Sequence, residues 1–116
     1  MAAKDLTDHK AVWTALAEAL VGKAPGVRRG RMMSSDALTL GGKVFAFHTT
    51  TGRFAGLGLR LGRDFDVASL KLADWSYLAP FKSRPPPLDW IVVGPAHTDR
   101  WPALTRLALE QASRRT

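Results

Sequence analysis

The chain contains no cysteine and no long apolar run. Without cysteine there can be no disulfide and no thiolate metal site, and such a composition fits a reducing compartment. No stretch approaches the roughly 20 apolar residues that a membrane-spanning helix needs. The N-terminal residues MAAKDLTDHKAVW also lack the apolar centre of a secretory signal. We therefore expect a cytoplasmic protein with no membrane partner.

The residues that are present are typical of one globular domain over residues 1–116. Hydrophobic residues make up 46% of the chain and charged residues 23%, which is close to the average for soluble domains. The net charge is +7. A chain with this charge attracts polyanions such as nucleic acids, although an excess of surface lysine and arginine also serves solubility alone.

Apolar periodicity predicts one helix near each end of the chain. The first is expected over residues 7–22, capped by Thr7 or Asp5. Its buried face is predicted to carry Val12, Ala15, Leu16, Ala19 and Leu20. The last helix is expected to be capped by Thr98 or Asp99. Its apolar face is predicted to carry Trp101, Leu104, Leu107, Ala108 and Ala112.

Short extended runs between these helices predict strands. The clearest is a hairpin over residues 37–49, because Gly41-Gly42 can adopt the positive φ of a tight turn. Strict alternation would place Phe45 and Phe47 on the same face of its second strand. Further strands are predicted over residues 27–33 and 53–62. Gly56 and Gly58 in the latter are expected to leave room for a closely packed helix.

The segment after these strands predicts a short helix over residues 63–75, followed by an irregular stretch with four prolines. Pro85 to Pro87 would form a stiff, extended lead-in to a strand over residues 89–94. The predicted order is a helix, three or four strands, a helix, a strand and a helix. This order indicates an α+β fold of two layers, with an antiparallel sheet of about five strands and helices packed on one face.

The sequence contains no complete motif for binding a cofactor or a metal or for catalysis. GLGLRLG has its third glycine one place late for a dinucleotide fingerprint, and GGKV lacks the serine or threonine of a P-loop. The three histidines show no metal-binding spacing, and neither Asp64 with Asp66 nor Ser34 with Ser35 forms a catalytic motif. We therefore predict no cofactor, no metal and no catalytic residue.

A basic cluster is the most distinctive remaining feature. The candidate residues for contacting nucleic acid are Arg28, Arg29, Arg31, Lys43, Arg53 and Arg60. These cations could bind phosphates. They could equally protect an edge strand from aggregation by their charge. A third possibility is a ligand pocket between the sheet and the helices, with His48, Tyr77, Asp89 and His97 at its mouth.

Several stretches resemble the TfoX N-terminal domain family. PGVRRGRMMSSDALTLGGKVFAF is similar to the family's turn, strand and glycine hairpin, with Ser34-Ser35 where phenylalanine-glycine is usual. FAGLGLRL is similar to its next strand, and APFKSRPPPLDWIVVGP to its proline-rich lead into a strand that begins with a tryptophan, here Trp90. The final helix with Trp101 is also similar. The resemblance covers residues 8 to 112 and extends to YjbR (MmcQ)-like proteins, often labelled DNA-binding, and to a small luciferase-type domain.

This resemblance implies the two-layer α+β fold shared with secretion chaperones, and it brings no catalytic residues. We therefore expect a stand-alone, non-enzymatic interaction or regulatory domain. Its partner would be another protein or a second copy in a homodimer. The alternatives are a nucleic-acid-binding protein that uses the surface around residues 28–31, and an enzyme or ligand-binding protein with a pocket between sheet and helices.

Overall fold

The computed structural model describes residues 8–32, 35–49, 56–77 and 89–115. Helix α1 spans Asp8–Lys23 and helix α2 spans Trp101–Arg115. The strands are β1 (Val27–Met32), β2 (Ser35–Leu40), β3 (Lys43–Thr49), β4 (Gly56–Arg60), β5 (Trp75–Tyr77) and β6 (Trp90–Val93). Short 3-10 helices cover Val67–Leu70 and Pro95–Arg100.

These strands form one antiparallel sheet in the order β1-β2-β3-β4-β6-β5. The α+β prediction is confirmed, with six strands among the described residues instead of about five. The additional strand, β5, pairs with β6 and forms one edge of the sheet. The arginine-rich β1 forms the other edge, where charge discourages pairing with a further strand.

The main core lies between one face of the sheet and both helices. Its largest fully buried side chains include Trp13 from α1, Trp101 from α2 and Phe45 from β3. Leu57, Leu59 and Leu61 alternate along β4 and the residues after it, and all three face this core as predicted. Both helices therefore cover the same face of the sheet.

The buried face of α1 agrees with the predicted one at Leu16 and Leu20 but not at the two alanines. The buried residues of α1 are His9, Trp13, Leu16, Ala17 and Leu20, whereas Ala15 and Ala19 are exposed. The two large rings account for the change. Because burying an alanine removes little apolar area from water, its position carries little weight in choosing the buried face. The proposed caps, Thr7 and Asp5, lie outside the described residues.

The hairpin between β2 and β3 has the predicted glycine turn, with φ of 62° at Gly41 and 82° at Gly42. The predicted faces of β3 are wrong, however. A register shift between Leu38 and Thr39 inserts an extra residue opposite β2. Such a bulge changes which side chains share a face. As a result Phe45 enters the main core, while Phe47 packs on the opposite face of the sheet.

Gly58 on β4 makes room for an aromatic ring and not for the helix that we predicted. It lies directly opposite Phe47 on β3. A Cβ atom at Gly58 would overlap the Phe47 ring. The missing side chain therefore allows Phe47 to lie flat across the neighbouring strand.

The predicted helix over residues 63–75 is reduced to the 3-10 helix Val67–Leu70, followed by β5. Lys71 ends that helix with a φ of 54°, and the chain then pairs with β6 through Trp75 and Tyr77. The apolar face predicted for α2 is confirmed. Thr98, one of its two predicted caps, is buried within the 3-10 helix Pro95–Arg100, which ends directly before α2. Pro85 to Pro87 lie outside the described residues.

No helix in the described part of the chain is long and apolar enough to cross a bilayer.

Candidate functional site

The basic residues singled out from the sequence are divided between both faces of the sheet. Because side chains alternate along a strand, Arg28 lies on the opposite face of β1 from Arg29 and Arg31. Arg29 forms an ion pair with Asp36 on β2. Lys43 is exposed beside the hairpin turn, and Arg53 lies outside the described residues.

Arg60 is separated from this cluster by two strands. It lies on β4 opposite Trp90, and its guanidinium is 3.4 Å from the Asp89 carboxylate. Asp89, one of the four residues proposed for a pocket mouth, is therefore already paired with a cation. The described basic residues do not converge on one surface that a single phosphate backbone could follow.

The four residues proposed for a pocket mouth have different surroundings. Asp89 contacts Arg60, and Tyr77 is 37% exposed on the edge strand β5. The Nε2 atom of His97 accepts hydrogen bonds from the backbone N–H groups of Ala73 and Asp74, at 3.1 and 3.0 Å. His48, in contrast, is buried in the core.

His48 belongs to a buried cluster of rings that joins α1 to the sheet. The Nδ1 atom of His9 lies 2.7 Å from the Nε2 atom of His48, so one imidazole donates a hydrogen bond to the other. Trp13 stacks on His48 with an angle of 14° between the rings. Trp101 of α2 meets both imidazoles through its edge, with ring centroids 5.8 Å away.

Asp36 extends this cluster to the surface. Its Oδ2 atom accepts a hydrogen bond of 2.8 Å from Trp13 Nε1 and also pairs with Arg29. Burial raises the pKa of Asp36, but the hydrogen bonds from Trp13 and Arg29 outweigh it, and the net pKa is below its usual value. Asp36 is therefore a carboxylate at neutral pH.

The His48 imidazole is uncharged at neutral pH. Burial is the main cause that lowers its pKa to about 4; His9 and Lys10 act in the same direction, and the Asp36 charge opposes them. The described residues contain no group of three or more His, Cys, Asp or Glu side chains that could hold a metal ion. The cluster joins α1 to β3 through the hydrogen bond between His9 and His48 and the stacking of Trp13 on His48.

Sequence reasoning missed His9 as a partner of His48. The available signal was its spacing, because His9 lies four residues before Trp13 and side chains four apart share a helix face. The contact itself joins residues 39 positions apart. A contact between residues so far apart in the sequence depends on how α1 packs on the sheet and cannot be read from the residues around either histidine.

A second, smaller apolar cluster covers the opposite face of the sheet. Ala37, Phe47 and Val92 are its buried members, and Phe47 contacts Trp90 with a ring-centroid distance of 5.5 Å. Met32, Val44 and Trp90 are only partly buried. Among the described residues, these three are the partly accessible apolar side chains that pack against this cluster.

An apolar groove runs between α1 and α2 on the outer side of the helical layer. Its volume is about 290 Å³, and it is lined by Leu16, Ala19, Leu20, Lys23, Ala24, Pro102, Arg106 and Leu109. Lys23 and Arg106 are both exposed. Within the described part of the chain neither has an ion-pair partner, although Glu110 lies one turn after Arg106.

Two wider surface depressions differ in character. One, of about 380 Å³, follows the loop from Val21 to Arg28. The other, of about 500 Å³, lies between residues 61–66 and α2 and mixes both signs of charge, with Asp64 and Asp66 beside Arg63 and Arg114. The groove between the helices has the more apolar walls, and its charged lining residues are the cations Lys23 and Arg106.

No family model, no curated protein and no solved structure matches this chain. The function is therefore inferred from the arrangement of the described residues.

None of the groove residues was a candidate site residue in the sequence. Lys23 and Arg106 are 83 positions apart, and they meet at one groove only because α1 and α2 lie side by side. Ala15 and Ala19 were predicted to be buried, but both are exposed. Ala19 therefore lines the groove and does not belong to the core.

Proposed function

We propose that this protein is a non-enzymatic interaction domain that binds a segment of a partner protein in the groove between α1 and α2. The observation that carries the proposal is the groove itself. Its walls are mainly apolar, it is open to the surface, and the two cations at it form no ion pair with any described residue.

The groove is large enough to hold parts of a polypeptide ligand. Its volume is about 290 Å³. That volume accommodates a few side chains of a partner, such as the apolar anchors of a docked segment.

The outer face of α1 also supports a binding role. A surface helix normally turns charged or polar residues to water. The exposed residues of α1 include polar side chains such as Lys10 and Glu18, but also Ala11, Ala15 and Ala19, and Val21 is 39% exposed. Apolar surface that continues beyond a groove is typical of a face that a partner covers.

We further propose that the chain is a divergent relative of the TfoX N-terminal and YjbR-like domains, as its strand and proline patterns suggest. A helical layer on one face of an antiparallel sheet supports this relationship, because it is the arrangement that the resemblance implies. The absence of cysteine supports a cytoplasmic location.

Nucleic-acid binding is the second candidate function. It is supported by the net charge of +7 and by the exposed arginines of β1. We rank it below protein binding because Arg28 lies on the other face of β1 from Arg29, and because Arg29 and Arg60 are paired with carboxylates.

Site-specific photo-crosslinking tests the proposed function. A photoreactive amino acid is placed at Ala19 in the groove or, as a matched control, at Ala68, an exposed alanine in the 3-10 helix Val67–Leu70. We expect discrete protein adducts from position 19, identified by mass spectrometry, that excess unmodified protein suppresses. The same adducts from both positions, or none from position 19, would contradict the proposal.

A further inference from the structure

We infer that the segment bound in the groove is an acidic amphipathic helix. Its apolar side chains would enter the groove, and its carboxylates would meet Lys23 and Arg106. This inference rests on the proposed function and adds the chemistry of the partner to it.

The charge of the groove indicates an acidic ligand. Lys23 lies in the last turn of α1, where the helix dipole favours a cation in any case. Arg106 is different, because it lies in the middle of α2, where the dipole gives no such preference. It is exposed at an apolar groove without a described counter-ion, which is the arrangement expected of a cation that pairs across an interface.

The same charge argues against a second copy of the chain as the occupant. A symmetric dimer brings identical patches together, so Lys23 and Arg106 would face a surface that carries the same cations. Each copy also has a net charge of +7. Like charges placed opposite each other cost binding free energy, whereas an acidic partner relieves the repulsion.

The walls of the groove favour a helix over an extended strand. A strand binds by adding main-chain hydrogen bonds to a free sheet edge. Here both walls are α-helices, whose backbone groups already bond within each helix. Binding must therefore use side chains, and the small side chains of Ala19 and Ala24 allow another helix to approach closely.

Three labelled synthetic peptides of 14 residues provide the test, each titrated with the full chain by fluorescence anisotropy. The acidic peptide has leucine at helical positions i, i+3, i+4 and i+7 and glutamate between them. The second has glutamine in place of every glutamate. The third has the acidic composition in scrambled order, so that it keeps the charge and loses the apolar face.

We expect the acidic peptide to bind about tenfold more tightly than the glutamine peptide, and the scrambled peptide not to bind. Each exposed ion pair contributes roughly 0.2–1 kcal/mol, so Lys23→Gln and Arg106→Gln should each weaken binding of the acidic peptide by about 1.4- to fivefold. Both variants should leave the glutamine peptide unchanged. Arg114→Gln, on α2 but outside the groove lining, is the matched control and should have no effect.

The possible outcomes separate the inference from the proposed function. Equal binding of the acidic and glutamine peptides, unaffected by Arg106→Gln, would overturn the acidic partner and leave a groove that binds apolar segments. If the scrambled peptide bound as tightly as the acidic peptide, net charge alone would explain the binding, and the inference would be overturned. Absence of binding at about 1 mM would also overturn it, and crosslinking at Ala19 would then decide the proposed function independently. A dimer in light scattering that Ala19→Gln dissociates would make a second copy the occupant.

Discussion

His9 and His48 are the residues through which α1 is attached to the sheet by a buried hydrogen bond. Their rings lie between Trp13 and Trp101, so four ring systems from three elements meet in one cluster. A buried imidazole that must stay neutral makes folding sensitive to acid. Substituting single side chains of this cluster should therefore change the stability of the fold and its dependence on pH.

The first prediction concerns the pH dependence of stability. The pKa of His48 is about 4 in the folded protein and 6.5 ordinarily. Between these values the unfolded chain binds a proton that the folded chain does not. The free energy of unfolding should therefore fall by up to about 3 kcal/mol as the pH drops from 6.5 to 4. Urea unfolding at pH 7.5, 5.5 and 4.5 measures this decrease.

His48→Gln is the comparison for that titration. Glutamine can keep a hydrogen bond with His9 but does not titrate, so the variant should be less stable at pH 7.5 and should lose less stability on acidification. Parallel pH profiles for the two proteins would show that His48 does not carry the dependence.

The second prediction separates the two contacts of Asp36. Asp36→Ala leaves the indole N–H of Trp13 without an acceptor, which should cost about 1–3 kcal/mol. Arg29→Ala removes only an exposed ion pair and should cost less than about 1 kcal/mol. Asp36→Asn keeps an acceptor for Trp13 and should fall between them. Urea unfolding at pH 7.5 compares the variants, and an equal loss for Arg29→Ala and Asp36→Ala would refute this account.

Secondary-structure elements show where local pattern predicts well and where it fails. The α2 face was predictable because large apolar residues repeat there with a helical period, beginning at Trp101. The α1 face was not, because alanines occur on several sides of the helix and give no strong preference. The bulge between β2 and β3 could not be read from alternation, since it depends on how the two strands pair.

The contact between Phe47 and Gly58 gives a prediction about the sheet. Gly58→Ala should cost about 1–3 kcal/mol because the added methyl group overlaps a ring that strand pairing holds in place. Gly22→Ala in α1 is the matched control, as nothing lies within 4 Å of a Cβ at that position. It should be neutral or stabilise by up to about 1 kcal/mol.

Thermal or urea unfolding of both variants measures this difference. Combining Gly58→Ala with Phe47→Leu should cost less than the sum of the two single changes, because the smaller side chain removes the clash. Strict additivity, or tolerance of Gly58→Ala alone, would show that the ring does not depend on this glycine.

At the scale of the whole molecule, the basic residues in the described parts of the chain lie on several sides of the fold. Arg28 and Arg29 diverge from adjacent positions of β1, while Lys23 and Arg106 lie on the helical layer. Such a distribution attracts any polyanion weakly and gives no path that follows one phosphate backbone.

Binding to nucleic acid should therefore be weak and strongly dependent on salt. We expect labelled duplex and single-stranded DNA to bind alike at about 50 mM salt and to dissociate by about 200 mM, with heparin competing equally. An Arg28/Arg29/Arg31→Ala triple variant should change this only modestly. Binding that survives 200 mM salt, prefers one form of DNA and disappears in the triple variant would instead favour the second candidate function.

By itself, the sequence determined the α+β class, the order of most elements and the apolar face of α2. These properties depend on period, turn residues and composition, which are local and can be read along the chain. Only the tertiary structure decided the buried face of α1, the separation of Phe45 from Phe47, the His9–His48 contact and the groove that joins Lys23 to Arg106. Each of these depends on residues that are distant in the chain or on the competition of several side chains for one space, and close packing of the whole core resolves that competition.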